Sequence, residues 1–158
     1  MTDEPTRTRP RFAPGYGIAE GEEGLLDWDW AVERLEASRN YWITTTREDG
    51  SPHAAPVWGL WLDGGVLFGT DPTSRKAKNL ERDRRVSVNL ESGDEVVILE
   101  GLAEPFYLDE RVADIYAKKY DFRPEPGHGD GWYRVEPRIG YAWLERDYPA
   151  TVTRFEFE

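Results

Sequence analysis

The chain has 158 residues and no cysteine, and its 31 acidic against 20 basic residues give a formal net charge of −11 at pH 7. These totals fit one domain able to bury a core without staples; they exclude disulfides and thiolate metal sites, and they argue against the basic footprint that nucleic-acid binding needs. No apolar run nears the ~20 residues of a membrane span and the start lacks the apolar segment of a signal peptide, so the expectation is a soluble cytoplasmic protein with no membrane or nucleic-acid partner.

Residues 1–24 are rich in Pro, Gly and charge and show no period, so they read as an extended or mobile arm ahead of a domain over 25–158. "DWDWAVERLEASRN" follows as a helix capped by Asp27 or Asp29, with Trp28, Val32 and Leu35 at helical spacing and Asn40 at its end. "YWITTTREDGSPHAAPVWGLWLDGGVLFGT" reads as three strands: Tyr41 to Thr46, residues 52–62, and Val66 to Thr70. Asp49-Gly50 and Asp63-Gly64-Gly65 supply the turns between them. Pro56 inside the second strand points to an edge, a bulge, or backbone that faces something other than a strand. A short helix is expected from Thr73 to Arg82, then a strand with Val86, Val88 and Leu90 on one face, then "EVVILEGLAEPF" as a strand inside a sheet. Asp109 caps a second helix with Val112, Ile115, Tyr116 and Tyr120 as its apolar stripe. "DFRPEPGHGDG" is a loop, and "RIGYAWLERD" and "ATVTRFEFE" are closing strands. The fold class is mainly β with short helices. Six or more hairpin-connected strands suggest a closed or partly closed antiparallel barrel.

One run stands against the acidic background: Arg75, Lys76, Lys78, Arg82, Arg84 and Arg85 follow Thr73 and Ser74 closely. A helix N-terminus offers free backbone N–H groups and the positive end of the helix dipole. Hydroxyls and two cations on its first turn complete a phosphate cradle. The competing reading is a solvated cap, with Arg84 and Arg85 balancing acidic neighbours. Arg75 and Lys76 nevertheless oppose the helix dipole, and such local conflicts tend to mark functional sites.

His53 is either a half-buried, hydrogen-bonded strand histidine or a proton donor that touches a ligand. His128 lies in a Gly/Pro loop and reads as solvated, and two histidines support no metal cage. Trp58 and Trp61 flank Gly59; they either pack or wall a pocket into which Gly59 admits a flat ligand. Tyr141 and Trp143 are equally suited to core or subunit contacts.

Three stretches, "TTTREDGSPHAAPVWGLWLDGGVLFGT", "SRKAKNLERDRRVSVNLESGDEVVILEGLAEP" and "YAWLERDYPATVTRFEF", together resemble the pyridoxamine 5′-phosphate oxidase-like family of flavin- and deazaflavin-binding split barrels. The resemblance spans roughly residues 28 to 157, and is nearest to the subgroup that uses the deazaflavin coenzyme F-420. It implies a six-stranded antiparallel split β-barrel that forms a homodimer with cofactor sites between subunits. It implies that Ser74, Arg75 and Lys76 hold the cofactor phosphate, with Lys78 and Asn79 assisting. Ala55, Pro56, Val57 and Trp58 would lie along the ring system, and Thr70 would stand between ring and phosphate. The implied activity is hydride transfer between coenzyme F-420 and a small unsaturated or electrophilic substrate, with His53 as the candidate catalytic residue. FMN on the same scaffold, or a non-catalytic carrier of a flavin, deazaflavin or tetrapyrrole, are the alternatives. The chain lacks a match to the C-terminal Arg/His substrate segment of true pyridoxamine-phosphate oxidases, so that oxidation is not expected.

Overall fold

The structure is a computed structural model that describes residues 4–127 and 131–158. His128 lies outside the described residues. Nine strands, all paired antiparallel, form one connected sheet with the order β1-β9-β8-β7-β6-β2-β3, and β4 and β5 branch from β8. The strands are β1 (Thr6–Thr8), β2 (Tyr41–Thr46), β3 (Pro52–Val57), β4 (Leu60–Leu62), β5 (Gly65–Gly69), β6 (Arg85–Asn89), β7 (Glu95–Pro105), β8 (Trp132–Leu144) and β9 (Thr153–Glu156). The helices are α1 (Trp28–Ala37), α2 (Arg75–Arg82), α3 (Glu110–Tyr120) and the single turn α4 (Tyr148–Thr151), which follows a 3-10 turn at Glu145–Asp147. The described residues thus carry nine strands where the resemblance implied six; β1, β4 and β9 have four residues or fewer, and the other six are longer. Among the described residues, no strand pairing closes the sheet between β3 and β4.

Strand β8 organises the topology. One edge pairs with β7 along nearly its whole length, while the other pairs first with β5 through Trp132–Val135 and then with β9 through Ile139–Ala142. The partner changes beside Pro137, and the β7–β8 register shifts there between Glu100 and Gly101. Only glycine fits that bulge, because a Cβ at position 101 would sit 2.0 Å from the Glu136 carbonyl oxygen. The bend curls the sheet over one core in which Tyr41 and Ile43 of β2 meet Phe68 of β5, Leu99 of β7 and Phe155 of β9. Each such side chain contributes about 1.5–3 kcal/mol through burial. A smaller cluster packs Val112, Tyr116 and Tyr120 of α3 on Leu60 and Leu67.

Local chemistry explains the elements. Alternating burial runs through β2, with Tyr41, Ile43 and Thr45 inward. Gly50, Asp63 and Gly64 all have positive φ, as tight hairpin turns require. Asp109 caps α3 by accepting from the Val112 N–H at 2.8 Å. Asp27 precedes α1 but makes no side-chain cap. The expected strand over 52–62 is broken at Trp58-Gly59 into β3 and β4. The arm is not without structure, since β1 pairs with β9 and Arg9 donates to the carbonyls of Ala150, Val152, Gly21 and Glu23. No helix among the described residues is long and apolar enough to cross a membrane.

Gly101→Ala is expected to destabilise the fold by about 1–3 kcal/mol or more, since the new methyl group meets backbone rather than a movable side chain. Asp109→Ala should cost about 1 kcal/mol by loss of one cap. Urea unfolding of both variants measures the difference, and a smaller loss for Gly101→Ala than for Asp109→Ala would contradict this account of the bulge.

Candidate functional site

The cation run sits where β5 ends. Beyond Gly69, the Asp71 carboxylate closes a turn by accepting from the Thr73 N–H at 2.7 Å and the Thr73 hydroxyl at 2.5 Å. Those bonds hold the Asp71 carboxyl below its ordinary range. Thr73 is therefore engaged in the turn. Ser74 is the N-cap of α2: its hydroxyl accepts from the Ala77 N–H at 3.1 Å and lies 3.0 Å from the Thr70 hydroxyl. The N–H groups of Arg75 and Lys76 open the helix and have no acceptor within it.

Helix α2 is seated by residues on its other side. Ala77, Asn79 and Leu80 are buried, and the Asn79 Nδ2 donates to Thr45 Oγ1 of β2 at 3.0 Å. Asn79 thus reaches into the protein, where it positions the helix, and its Oδ1 is enclosed without a partner. Arg82 donates to the carbonyl of Thr46. Arg84 pairs with Glu104, and Arg85 pairs with Asp83 at 2.7 Å, which holds the Asp83 carboxyl down at about 2. Among the described residues, Arg75, Lys76 and Lys78 make no ion pair.

Strand β3 brings His53 to the same place. It lies opposite Thr45, and its imidazole is held below its ordinary value by burial first, then by the positive charges of Arg47, Lys76 and Arg75. The ring is therefore neutral at neutral pH, with Nδ1 enclosed and unpartnered. Arg47 is the residue that sequence reading missed. It belongs to the Asp49-Gly50 hairpin, where it donates to the Pro52 carbonyl at 2.5 Å, and only the folded hairpin turns its charge toward His53. β3 ends the sheet path and its outer side pairs with no described strand, which accommodates both Pro52 and Pro56. Ala55 and Val57 lie opposite Ile43 and Tyr41 on the inward side, and Pro56 lies opposite Trp42 on the outward side.

Trp58 directly follows the end of β3 at Val57. It stacks on Tyr120 of α3, with ring centroids 4.7 Å apart and planes at 11°. Gly59 does not open a ligand slot either, because a Cβ there would lie 2.8 Å from the Leu67 carbonyl oxygen and 3.2 Å from the Tyr41 ring. Its N–H donates to the Tyr120 hydroxyl at 2.9 Å, and its carbonyl accepts from Lys119 at 3.0 Å. Burial pushes the Lys119 amine down to about 8. Trp61 packs on Trp28 at 5.8 Å. The structure therefore gathers Thr70, Ser74, Arg75, Lys76 and His53, sets Asn79 behind them, and stacks Trp58 on Tyr120. A groove of about 640 Å³ opens beside Thr46 on the outer face of the sheet, lined by Thr44, Arg85, Ser87, Glu100 and Arg138 among others.

Two cations without ion pairs and an unpartnered imidazole nitrogen thus stand beside an open strand edge, and comparison with known proteins gives the arrangement a context. The chain is similar in fold to a conserved hypothetical protein from Mycobacterium tuberculosis (26% identity, 85% of this chain and 91% of that one, TM-score 0.63). It is likewise similar to a putative pyridoxamine 5′-phosphate oxidase from Listeria innocua (19% identity, 72% and 95%, TM-score 0.59). A third similar structure is an F-420 reductase (19% identity, 68% and 93%, TM-score 0.54). No curated protein matches the sequence. The model of the pyridoxamine 5′-phosphate oxidase family matches residues 29–143, so the chain belongs to that family.

Proposed function

We propose that this chain is an oxidoreductase that binds the deazaflavin coenzyme F-420 and moves a hydride between it and a small unsaturated or electrophilic substrate. The observation that carries the reading is the pair of uncompensated cations, Arg75 and Lys76, at the opening turn of α2 beside neutral His53. A phosphate group suits these residues: two free helix N–H groups, two cationic side chains without carboxylate partners, and an unpartnered imidazole nitrogen stand together. Family membership and the likeness in fold to an F-420 reductase support the same choice.

Bound there, the coenzyme supplies the hydride chemistry. The chain supplies the rest. Arg75 and Lys76 balance the phosphate charge. Ser74 and Thr70 keep the helix opening in place, and Asn79 anchors the helix from behind. His53, kept uncharged by burial and by its cationic neighbours, offers a hydrogen bond without adding a charge. The unpaired edge of β3 at Ala55, Pro56 and Val57 leaves backbone groups for the polar rim of a flat ring. Trp58, stacked on Tyr120 and partly exposed, continues that edge beyond Val57. Residues 25–158 form the cofactor-binding unit, residues 1–24 its arm, and the working species is a homodimer.

FMN is the second reading, and one observation favours it. The oligoglutamate tail of the deazaflavin needs cationic surface beyond the phosphate, yet Arg84 and Arg85 are already paired with carboxylates. Lys78 is left, with Arg82 bound to a backbone carbonyl.

Titration of the apoprotein with FMN and with the deazaflavin, followed by fluorescence, decides between them. Lys76→Ala is expected to weaken the preferred cofactor by at least ~1.5 kcal/mol, the scale of a hydrogen bond to a charged group. Unchanged affinity removes Lys76 from the site, and binding without turnover under a reduced cofactor identifies a carrier rather than an enzyme. Lys78→Ala should weaken the deazaflavin and leave FMN unaffected.

His53 should titrate below 6.5 in the free protein, as seen by NMR of its ring protons, and its value should rise when an anion binds. The unfolded chain then binds more protons than the folded one just below pH 6.5. The stabilising contribution is complete above pH 6.5 and is lost as pH falls through the folded-state value. A His53 titration at or above 6.5 would contradict the described cluster.

A further inference from the structure

We propose that the cleft between the N-terminal arm and the outer face of the sheet binds a small planar aromatic anion, of the aryl carboxylate class. The cleft measures about 820 Å³, within the range of small-molecule sites. It shares no lining residue with α2, and the inference does not depend on the cofactor reading.

One wall is the arm from Thr8 to Phe12, and the other is Ile98, Tyr141 and Trp143 on β7 and β8. The arm wall is fixed in place. β1 pairs with β9 from Thr6 to Thr8, and Arg9 donates to the carbonyls of Ala150 at 2.6 Å, Gly21 at 3.0 Å, Glu23 at 3.1 Å and Val152 at 3.2 Å. Tyr148 closes the cleft with edge-on contacts to Phe12 at 6.0 Å and to Trp143 at 5.4 Å. Rings on several sides favour a flat apolar body over a flexible chain or a sugar.

Charge selects an anion. In a chain of net charge −11, the charged groups that line this cleft are Arg9, Arg11 and Arg154, with no carboxylate among them. Arg154 is balanced by Glu156 at 2.8 Å. Arg9 meets only carbonyl oxygens, and Arg11, exposed at the rim, makes no ion pair among the described residues. Two guanidinium charges are thus uncompensated beside aromatic rings, and the free fork of Arg11 suits a carboxylate held by two parallel hydrogen bonds. The family match covers residues 29–143, and the arm, Tyr148 and Arg154 lie outside that range.

The test uses the full chain labelled with nitrogen-15 and titrated with naphthoate and with its neutral counterpart naphthamide. The readout is the Trp143 indole N–H, assigned by its loss in Trp143→Phe. Naphthoate should shift that signal saturably, naphthamide should bind at least about tenfold more weakly, and Arg11→Ala should remove most of that difference while the rest of the spectrum stays folded. Equal binding of the two compounds overturns the proposal, as does a naphthoate affinity unchanged in Arg11→Ala. Shifts confined to residues 70–79 overturn it too. A silent Trp143 signal in a chain that sediments as a dimer also overturns it, because a second copy then fills the cleft.

Discussion

The hydrogen bond from Asn79 Nδ2 to Thr45 Oγ1 is made where water has no access, so its geometry fixes where α2 lies. A buried amide that loses its partner costs about 1–3 kcal/mol, enough to hold a helix of only eight residues in one register. Everything on the open side of that helix inherits its position from this contact: the cap at Ser74, the first-turn N–H groups, and the reach of Arg75 and Lys76. Thr45 also lies opposite His53 in the β2–β3 pairing, so one buried hydroxyl references both the helix and the strand. The unpartnered atoms of the neighbourhood, Asn79 Oδ1 and His53 Nδ1, flank the same residue.

The six cations of the run divide by what they meet, and the division follows from long-range geometry. Arg84 finds Glu104 because β6 and β7 are paired, with Arg85 opposite Leu102. Arg82 finds Thr46 because α2 lies over the end of β2. Arg75 and Lys76 find no carboxylate, although the chain has an excess of acids. A protein rich in Asp and Glu that leaves two adjacent cations unbalanced on a helix opening has a local field unlike its average. That field adds to burial and to the Arg47 charge in holding the histidine value down.

Much of the fold was legible because it is written in local chemistry. The β2 strand from Tyr41 to Thr46 alternates without a break, the Asp-Gly turns force hairpins, and Ser74 and Asp109 cap their helices as their types suggest. The partners of long-range contacts were not legible. Trp58 could be read as packing or as a pocket wall, and its stacking partner Tyr120, more than sixty residues later in the chain, could not be foreseen. Gly59 looked like a slot until the Tyr41 ring and the Leu67 carbonyl filled the space. The arm gave no signal because a strand of three residues is specified by its partner β9 rather than by its own pattern. The site followed the same rule: Ser74, Arg75 and Lys76 were visible as a capped, conflicted helix start, whereas Arg47 was not, because a hairpin alone sets its direction.

The lone edge of β3 has a further consequence. A bare strand edge is a template for recruiting strands from other chains, the first step toward aggregates. Pro52 and Pro56 each withhold a donor and impose a φ that a growing ladder resists. Two imino acids four positions apart therefore let this margin stay uncovered in a crowded solution without seeding intermolecular sheet growth.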